Sequence, residues 1–470
     1  MPLHQPRILF FDDNIRGTGG HFLELATLLI SGSQELGYAP TLIANREFNQ
    51  TKLDEVDCPV IPAFRQRRLV RWSLGVDGMS RARRNSDGKP IDSRWLKVKR
   101  QQVRDLLVRP DRHPRRMLQE YADDLERVFR QLRVTSNDIL MLNTSDDFSL
   151  LGLAQAIQIG RPATPLNVHA LFHFAIHEKK QRDAYKRSVL FAQQVNETIQ
   201  QVLPHQVHLH ATTDPLTHQM IQSGVESIVN SVPYPTRPRK INRDRQPEGR
   251  AKVVLAGLPR QEKGRAAMSG LLRELAPSLI EEYVHCLSMQ MPVNRWQSMI
   301  PDSMRTFYEA ALARPLNLDP TERPTEPIEV LTADLDTETY HGWLDTADIG
   351  LFLYEPHRYV ARCSGVLLEM LARGVPVLVP DHCWLADYVR RMSGSRPCGL
   401  IYQNRATIPG DLHEIAKNYS LYRNSAIGAA QRIANDHTGA NALAMMGIKD
   451  QMRWSATPTQ TQQPLRRKAG

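Results

Sequence analysis

The chain contains no long hydrophobic run. No stretch of eighteen consecutive apolar residues occurs in its 470 residues, so no transmembrane helix is predicted. The N-terminal sequence MPLHQPRILFFDDN has a short apolar run that ends in two aspartates, which is not typical of a signal peptide. Both absences lead us to expect a cytoplasmic protein.

Paired cysteines are also missing. The five cysteines are scattered along the chain, and no two of them form a CxxC pair. This usage favours a reducing compartment and disfavours a structural zinc site.

Positive charge is concentrated in one segment. The net charge is +10, but residues 65–116 hold seventeen lysines or arginines against five aspartates. This basic insert has only Trp72 and Trp95 as large aromatics and no recognised nucleic-acid-binding module, so nucleic acid is not the expected partner. Contact with an anionic membrane surface is predicted instead, and a solvated charged loop is the alternative.

Short apolar segments alternate with longer amphipathic ones. Thirteen segments have the composition of buried strands: 7–11, 40–44, 58–61, 138–142, 166–172, 207–212, 227–232, 252–257, 283–289, 328–333, 348–354, 375–380 and 398–403. Apolar residues at helical spacing lie between them, as in 21–36, 115–133, 264–275 and 364–373. The alternation predicts an α/β protein with two doubly wound, Rossmann-like domains that face a cleft.

The predicted domains are joined by a linker over 236–250, which is rich in proline and charge. The N-terminal domain then spans 1–235 and the C-terminal domain 251–455. The polar residues 456–470 are expected to be disordered.

Ligands in such sheets bind beyond the carboxyl ends of the strands, and the first loop there is FFDDNIRGTGGHFLEL. Its glycines, including Gly19 and Gly20, would let a ligand approach the backbone, and the following helix start favours an anion. A plain tight turn would give the same pattern.

The corresponding loop of the second half is VVLAGLPRQEKGRAAM. Here a strand is expected to end at Gly257 and a helix to begin near Lys263. Arg260 and Lys263 would then stand beside a helix N-terminus, where cations oppose the helix dipole, so an anionic ligand is indicated. Two solvated surface charges are the alternative.

A third loop ends in SGVLLEMLARGVPVLVP, where Glu369 falls within the first two turns of an otherwise apolar helix. A buried carboxylate needs hydrogen-bond donors, and a ribose diol supplies two, as it does to acidic residues in dinucleotide-binding folds. A glutamate stabilised by the helix dipole is the alternative.

The pair GLPRQEKG and SGVLLEMLARGVPVLVP resembles the C-terminal domain of GT-B glycosyltransferases of the family 4 type. Three further segments are similar to that family. Its N-terminal glycine loop resembles GTGGHFLELATLL, its second strand resembles GYAPTLIA, and its C-terminal helices resemble AAQRIANDHTGANALAMM. The resemblance covers most of 7–60 and 135–450 and leaves out the basic insert. It implies a GT-B enzyme that moves a sugar from a nucleotide-sugar donor to a glycan, lipid-linked or small-molecule acceptor, as in polysaccharide biosynthesis, without cofactor.

Carried over by position, the resemblance implies that Arg260 and Lys263 hold the donor diphosphate and stabilise the leaving nucleotide, and that Glu369 binds the ribose. The remaining expected donor-site positions are Gly19, Gly20, Gly257, Ser364, Gly365 and Val366. GT-B enzymes generally need no metal, and the D-x-D spacing of Asp334 and Asp336 stands in a polar sequence that matches no GT-B donor site, so none is expected here.

One position departs from the family. The first glutamate of its E-x7-E motif touches the transferred sugar, and this chain has Ala361 there. Glu355 and Arg362 are near, but their spacing is wrong. Retention of configuration is therefore implied by the family alone, and a non-catalytic GT-B-like protein that binds a nucleotide or glycan remains an alternative.

Histidines at 169, 173 and 177 occur where a predicted strand leads into a loop. In the family, a histidine after this strand often lines the acceptor side, so His173 is a candidate catalytic residue, with simple packing as the alternative. Asp146 and Asp147 also follow a strand and could contact an acceptor hydroxyl, but a helix N-cap pair is the favoured interpretation for them.

Overall fold

Two sheets of parallel strands organise the chain. The computed structural model describes residues 5–16, 21–48, 56–65, 114–177, 184–241, 249–282, 284–291, 297–314, 318–319, 322, 324–332 and 335–449. Almost all of the basic insert lies outside the described residues, as do Gly19, Gly20 and the C-terminal residues 450–470.

The first sheet and the helices packed on it form what we call the first lobe. Its elements are β1 (Arg7–Phe11), α1 (His21–Glu35), β2 (Ala39–Asn45), β3 (Val60–Phe64), α2 (Pro114–Leu132), β4 (Ile139–Ser145), α3 (Asp147–Gly160), β5 (Asn167–Phe172), α4 (Ala184–Gln201), β6 (Gln206–Ala211), α5 (Asp214–Gln222) and β7 (Val229–Ser231). The strand order is β3-β2-β1-β4-β5-β6-β7.

The second sheet and its helices form the second lobe. Its elements are β8 (Ala251–Leu255), α6 (Met268–Ala276), β9 (His285–Gln290), α7 (Asp302–Leu312), β10 (Ile328–Leu331), α8 (Thr337–Asp345), β11 (Ile349–Leu351), α9 (Gly365–Ala372), β12 (Val377–Pro380), α10 (Trp384–Met392), β13 (Gly399–Tyr402), α11 (Ile408–Lys417) and α12 (Tyr419–Asp436). The strand order is β10-β9-β8-β11-β12-β13.

Each sheet is covered on both faces, which explains the unbroken apolar strands. In β1, Ile8 and Phe10 pack into one cluster of buried side chains, while Leu9 and Phe11 pack into another on the opposite face. Successive side chains of a strand point to opposite faces, so a strand between two helix layers must be apolar throughout.

The order of the strands reverses between β1 and β4 in the first sheet, and between β8 and β11 in the second. A crevice opens at such a switch point, beyond the carboxyl ends of the strands. The loop that follows β8 carries Arg260 and Lys263, and the loop that follows β11 leads into α9, which carries Glu369. The topology therefore brings the candidate donor residues to one edge of the second sheet.

The last helix of the chain, α13 (Gly439–Met445), returns to the first lobe. Its Ala442 and Leu443 join the cluster formed by α1 and β1. The two helices approach closely, since a Cβ atom on Gly32 would lie 2.2 Å from the backbone nitrogen of Ala440. This helix belongs by sequence to the predicted C-terminal domain, 251–455, and it packs on the first lobe.

The two-sheet architecture is confirmed, and every predicted strand overlaps an observed one. Several predicted strand ends were wrong, and two of them immediately precede the loops with candidate residues. The strand expected to end at Gly257 ends at Leu255, and the strand expected over 348–354 covers only Ile349–Leu351. Within the described residues, no helix is both long and apolar enough to span a bilayer.

Candidate active site

A cavity of about 640 Å³ lies between the two lobes. The first lobe contributes α1 and the segment after β5, and the second lobe contributes the loops that follow β8 and β11 together with α8 and α9. Every described residue that the sequence proposed for the donor or catalytic site lines this cavity: His173, Gly257, Arg260, Lys263, Ser364, Gly365, Val366 and Glu369. Residues far apart in the chain therefore share one site.

The loop after β8 differs in one respect from its prediction. Gln261–Lys263 forms a single 3-10 turn, and the α-helix α6 begins only at Met268. Gly264, which follows this turn, has φ +80° and prevents a continuous helix. Its backbone is so close to Leu353 that a Cβ would lie 2.2 Å from the Leu353 carbonyl oxygen. Lys263 therefore stands in a turn that is pressed against the second sheet, and not at the start of the α-helix.

The Lys263 ammonium lies inside the cavity wall. It approaches Gly257, where an added Cβ would lie 2.3 Å from Nζ, and it lies 5.5 Å from the centre of the Tyr354 ring. Burial lowers the pKa of Lys263, and the cations Arg260 and Arg362 lower it further. No carboxylate in the described residues forms an ion pair with Lys263. A cation with so few compensating charges favours an anionic ligand.

Glu369 lies in the second turn of α9. Ser364 caps this helix by accepting a hydrogen bond from the Leu367 N–H at 3.3 Å. The Glu369 carboxylate is half-buried on the cavity wall, where Oε2 accepts a hydrogen bond from the Tyr340 hydroxyl at 2.9 Å. Burial raises the pKa of Tyr340 well above its usual value, so this hydroxyl remains a donor. Tyr340 thus holds the carboxylate in place.

His173 follows β5 and faces the cavity from the first lobe. Its Nε2 lies 2.5 Å from the backbone oxygen of Asn143. A carbonyl only accepts, so Nε2 carries the hydrogen, and Nδ1 is left as a buried acceptor that has no partner in the described structure. Burial lowers the pKa of His173 to about 4, so the ring is neutral at pH 7.

The position of Ala361 is closed to the cavity. Its side chain is 1% exposed and belongs to the apolar core of the first lobe, and its carbonyl accepts a hydrogen bond from Thr213 Oγ1 at 2.9 Å. Glu355 is not on the cavity wall and accepts a hydrogen bond from Arg405 at 2.9 Å. Of the two neighbours considered from the sequence, only Arg362 reaches the cavity.

The other polar candidates have structural roles. Asp146 and Ser149 form a reciprocal cap at the start of α3, as favoured from the sequence. Asp147 is buried and pairs with Arg187 at 2.9 Å. Asp336 caps α8, and Asp334 lies outside the described residues. His169 bonds to His210 within the first sheet. The described residues hold no group of three or more side chains suited to a metal ion.

Sequence reasoning missed an ion-pair cluster between the lobes. Glu24 of α1 accepts two hydrogen bonds from Arg237, at 2.9 and 3.0 Å, and lies 3.6 Å from Nε2 of His341 in the second lobe. Burial alone would raise the pKa of Glu24, but hydrogen bonds from His341 and Arg237 outweigh it and lower the pKa to about 2. These residues are far apart in sequence, so only the fold reveals them.

No family model matches the sequence, and a comparison with curated proteins found no match. Solved structures do match it. A glycosyltransferase from Rickettsia africae ESF-5 has a TM-score of 0.55 at 12% identity, with 94% of this chain and 96% of that chain covered. Sucrose-phosphate synthase from Thermosynechococcus elongatus has a TM-score of 0.55 at 12% identity, with 96% of this chain and 100% of that chain covered. Anabaena HepE in complex with UDP has a TM-score of 0.54 at 12% identity, with 96% of this chain and 99% of that chain covered. The likeness establishes the GT-B fold for this chain.

Proposed function

We propose that this protein is a glycosyltransferase of the family 4 type that moves a sugar from a nucleotide-sugar donor to an acceptor hydroxyl, with retention and without a metal. The observation that carries the proposal is the composition of the cavity wall. It combines two cations without ion-pair partners in the described structure, Arg260 and Lys263, with a carboxylate, Glu369, and a neutral histidine, His173.

The donor is assigned to the second lobe. Glu369 accepts hydrogen bonds from the ribose hydroxyls, while Tyr340 fixes the position of its carboxylate. The diphosphate is assigned to the space between the cations Arg260 and Lys263 and the start of α9, where Gly365 and Val366 line the cavity and the first N–H groups of a helix have no partner within the helix. Since Ser364 Oγ already caps the Leu367 N–H, the N–H groups of Gly365 and Val366 are free for a phosphate.

During transfer, the bond between the anomeric carbon and the donor phosphate oxygen breaks, and a bond to the acceptor oxygen forms. The nucleoside diphosphate leaves with the bonding electrons, and Arg260 and Lys263 stabilise the charge that develops on it. The acceptor proton passes to the departing phosphate or to water. His173, held as the neutral Nε2–H tautomer, forms part of the cavity wall on the side proposed for the sugar and the acceptor.

The test begins with thermal melting in the presence of nucleoside diphosphates, because a ligand that binds the native state raises stability by RT ln(1 + [L]/Kd). UDP is the first nucleotide to examine, since the Anabaena HepE structure holds it. Release of nucleoside diphosphate from the matching nucleotide sugar is then measured with and without glycan acceptors. The absence of a stability shift with every nucleotide would contradict the donor-site assignment.

A second candidate is a GT-B-like protein that binds a nucleotide or glycan without turnover. The burial of Ala361 in the first lobe favours it, because the side chain at this position cannot contact a sugar in the cavity. The two candidates differ in one measurement. Nucleotide binding without donor hydrolysis or transfer would support the binding protein and contradict the enzyme.

We also propose that the basic insert 65–116 holds the cytoplasmic protein at an anionic inner-membrane surface, where it meets a lipid-linked acceptor. Its net charge supports this, because each basic residue near such a surface contributes about 1 kcal/mol, within a Debye length. At low salt, the protein should sediment with vesicles rich in anionic lipid and remain free of neutral vesicles. Equal behaviour with both kinds of vesicle would contradict the proposal.

A further inference from the structure

Apart from Arg237, which pairs with Glu24, the cavity wall holds Arg260, Lys263 and a further cation, Arg362, whose role is not explained by the donor site. Its guanidinium lies 4.9 Å from the ring centre of Phe174 in the first lobe and 5.2 Å from that of Tyr359 in the second. In the part of the chain that the structure describes, no carboxylate pairs with it. Two aromatic rings therefore fix the position of a charged group that lacks a counterion.

The acidic residues of the wall are committed elsewhere or lie out of ion-pair range. Glu24 is bound by Arg237 and approached by His341, and Asp336 caps α8. Glu262 and Glu369 also line the cavity, but the described structure contains no ion pair between either of them and Arg362. An uncompensated cation in a partly enclosed site is costly unless a ligand neutralises it.

The place of Arg362 separates it from the diphosphate cations. Arg260 and Lys263 belong to the loop after β8, and their two charges match the two charges of a nucleotide-sugar diphosphate. Arg362 instead reaches the first lobe, where Phe174 is the residue next to His173. This is the side of the cavity to which the transferred sugar and the acceptor are assigned.

We propose that Arg362 determines specificity by binding an anionic group, a carboxylate or a phosphate, carried by the transferred sugar or by the acceptor. This inference rests on the proposed function, because it takes the ribose and diphosphate sites as given. Arginine suits the task, since its planar guanidinium stacks on aromatic rings while its N–H edge binds carboxylate or phosphate in a bidentate manner.

The experiment has two arms, and both start from the nucleoside diphosphate that binds the wild type most tightly, with UDP tested first. In the donor arm, calorimetry compares UDP-glucuronate with UDP-glucose. In the acceptor arm, the UDP-saturated protein is titrated with glucose 6-phosphate and with glucose. If another nucleotide is preferred, its own uronate and neutral sugars replace those of UDP. The arm that shows an anion preference identifies the molecule that carries the charge.

In one arm, the wild type should bind the anionic ligand roughly tenfold to a hundredfold more tightly than the neutral one, the range expected for charge-assisted hydrogen bonds. Arg362→Gln should remove that preference without weakening UDP, and Arg362→Lys should keep part of it. Arg391→Gln is the matched control, because Arg391 also lies 4.9 Å from a tyrosine ring centre but is not on the cavity wall. It should keep the full preference.

Three outcomes would speak against the inference, and they can be distinguished. If UDP binds but neither arm prefers the anion, the inference is overturned while the proposed function stands. If Arg362→Gln weakens UDP as much as it weakens the anionic ligand, Arg362 belongs to the diphosphate site and the inference is again overturned. If no nucleoside diphosphate binds the wild type, the proposed function itself fails and the inference fails with it.

Discussion

Replacement of Glu369 by glutamine tests the ribose site with the smallest change of shape. The Tyr340 hydroxyl donates to Glu369 Oε2 at 2.9 Å, and the carbonyl of glutamine can accept the same hydrogen bond. The variant therefore keeps the contact that positions the side chain and loses the negative charge. The melting temperature should change little, because α9 is capped by Ser364 independently of residue 369.

The expected loss of affinity follows from the hydrogen bonds to the charge. Hydrogen bonds to charged groups contribute roughly 1.5–3 kcal/mol, and neutral ones about 0.5–1.5 kcal/mol. A diol can place two such bonds on the carboxylate, so the variant should lose about 1.5–3 kcal/mol of donor binding. This corresponds to a decrease in affinity of roughly tenfold to a hundredfold.

Calorimetry with the ribonucleotide and its 2′-deoxy and 3′-deoxy analogues measures the coupling free energy between the Glu369 carboxylate and the ribose hydroxyls directly. The wild type should bind the deoxy forms more weakly than the ribonucleotide, and Glu369→Gln should show a much smaller difference, as a double-mutant cycle requires. Tyr340→Phe serves as the control for positioning, since it removes the donor but keeps the charge.

One pattern of results would refute the ribose assignment. If Glu369→Gln binds the ribonucleotide as tightly as the wild type but melts markedly lower, Glu369 is a structural carboxylate that serves α8 and α9 through Tyr340. The site would then lose its strongest donor residue.

Three further predictions concern the same cavity. Lys263→Met should lower kcat far more than nucleotide affinity, because the ammonium matters most as the diphosphate leaves; Arg273→Met, on the surface of α6, is the control, and equal kinetics for the two variants would contradict the assignment. Glu24→Gln should lower the free energy of unfolding at pH 7 by up to about 3 kcal/mol, since the Glu24 pKa of about 2 lies below the ordinary value of 4.5. That stabilisation is complete above pH 4.5 and is lost as the pH falls towards 2. The melting temperatures of the wild type and of Glu24→Gln should therefore become equal over this pH range, and equal melting temperatures at pH 7 would contradict the prediction. Donor turnover should persist in EDTA, because Arg260 and Lys263 supply the positive charge at the leaving group; loss of activity in EDTA that Mn²⁺ restores would show this to be wrong.

The sequence predicted the sheets well because their strands are buried on both faces, so composition alone identifies segments such as 375–380. It was less reliable at the loops. The expected helix start near Lys263 failed because Gly264 adopts a positive φ and turns the chain before α6 begins. A pattern of apolar spacing does not contain that information.

Long-range contacts were beyond the reach of the sequence. Glu24 looks like an ordinary residue of the first turn of a helix, and nothing in its surroundings predicts Arg237 or His341 as partners. Tyr340 stands twenty-nine positions before Glu369, in a helix of no obvious function. The resemblance named the residues proposed to meet the donor, but not the residues that contact them, such as Tyr340.

The loop between β11 and α9 connects both halves of the cavity through three neighbouring positions. The Ala361 carbonyl is bound by Thr213 of the first lobe, Arg362 lies against Phe174, and Ser364 caps the helix that carries Glu369. The described residues that we assign to the nucleotide belong to the second lobe, whereas the proposed sugar side is completed by His173 and by Arg362 against Phe174. Separation of the lobes would leave Arg260, Lys263 and Glu369 together, but it would remove the Phe174 contact of Arg362 and leave only the contact with Tyr359. The proposed nucleotide site is therefore formed by one lobe, and the proposed sugar site is complete only while the two lobes are in contact.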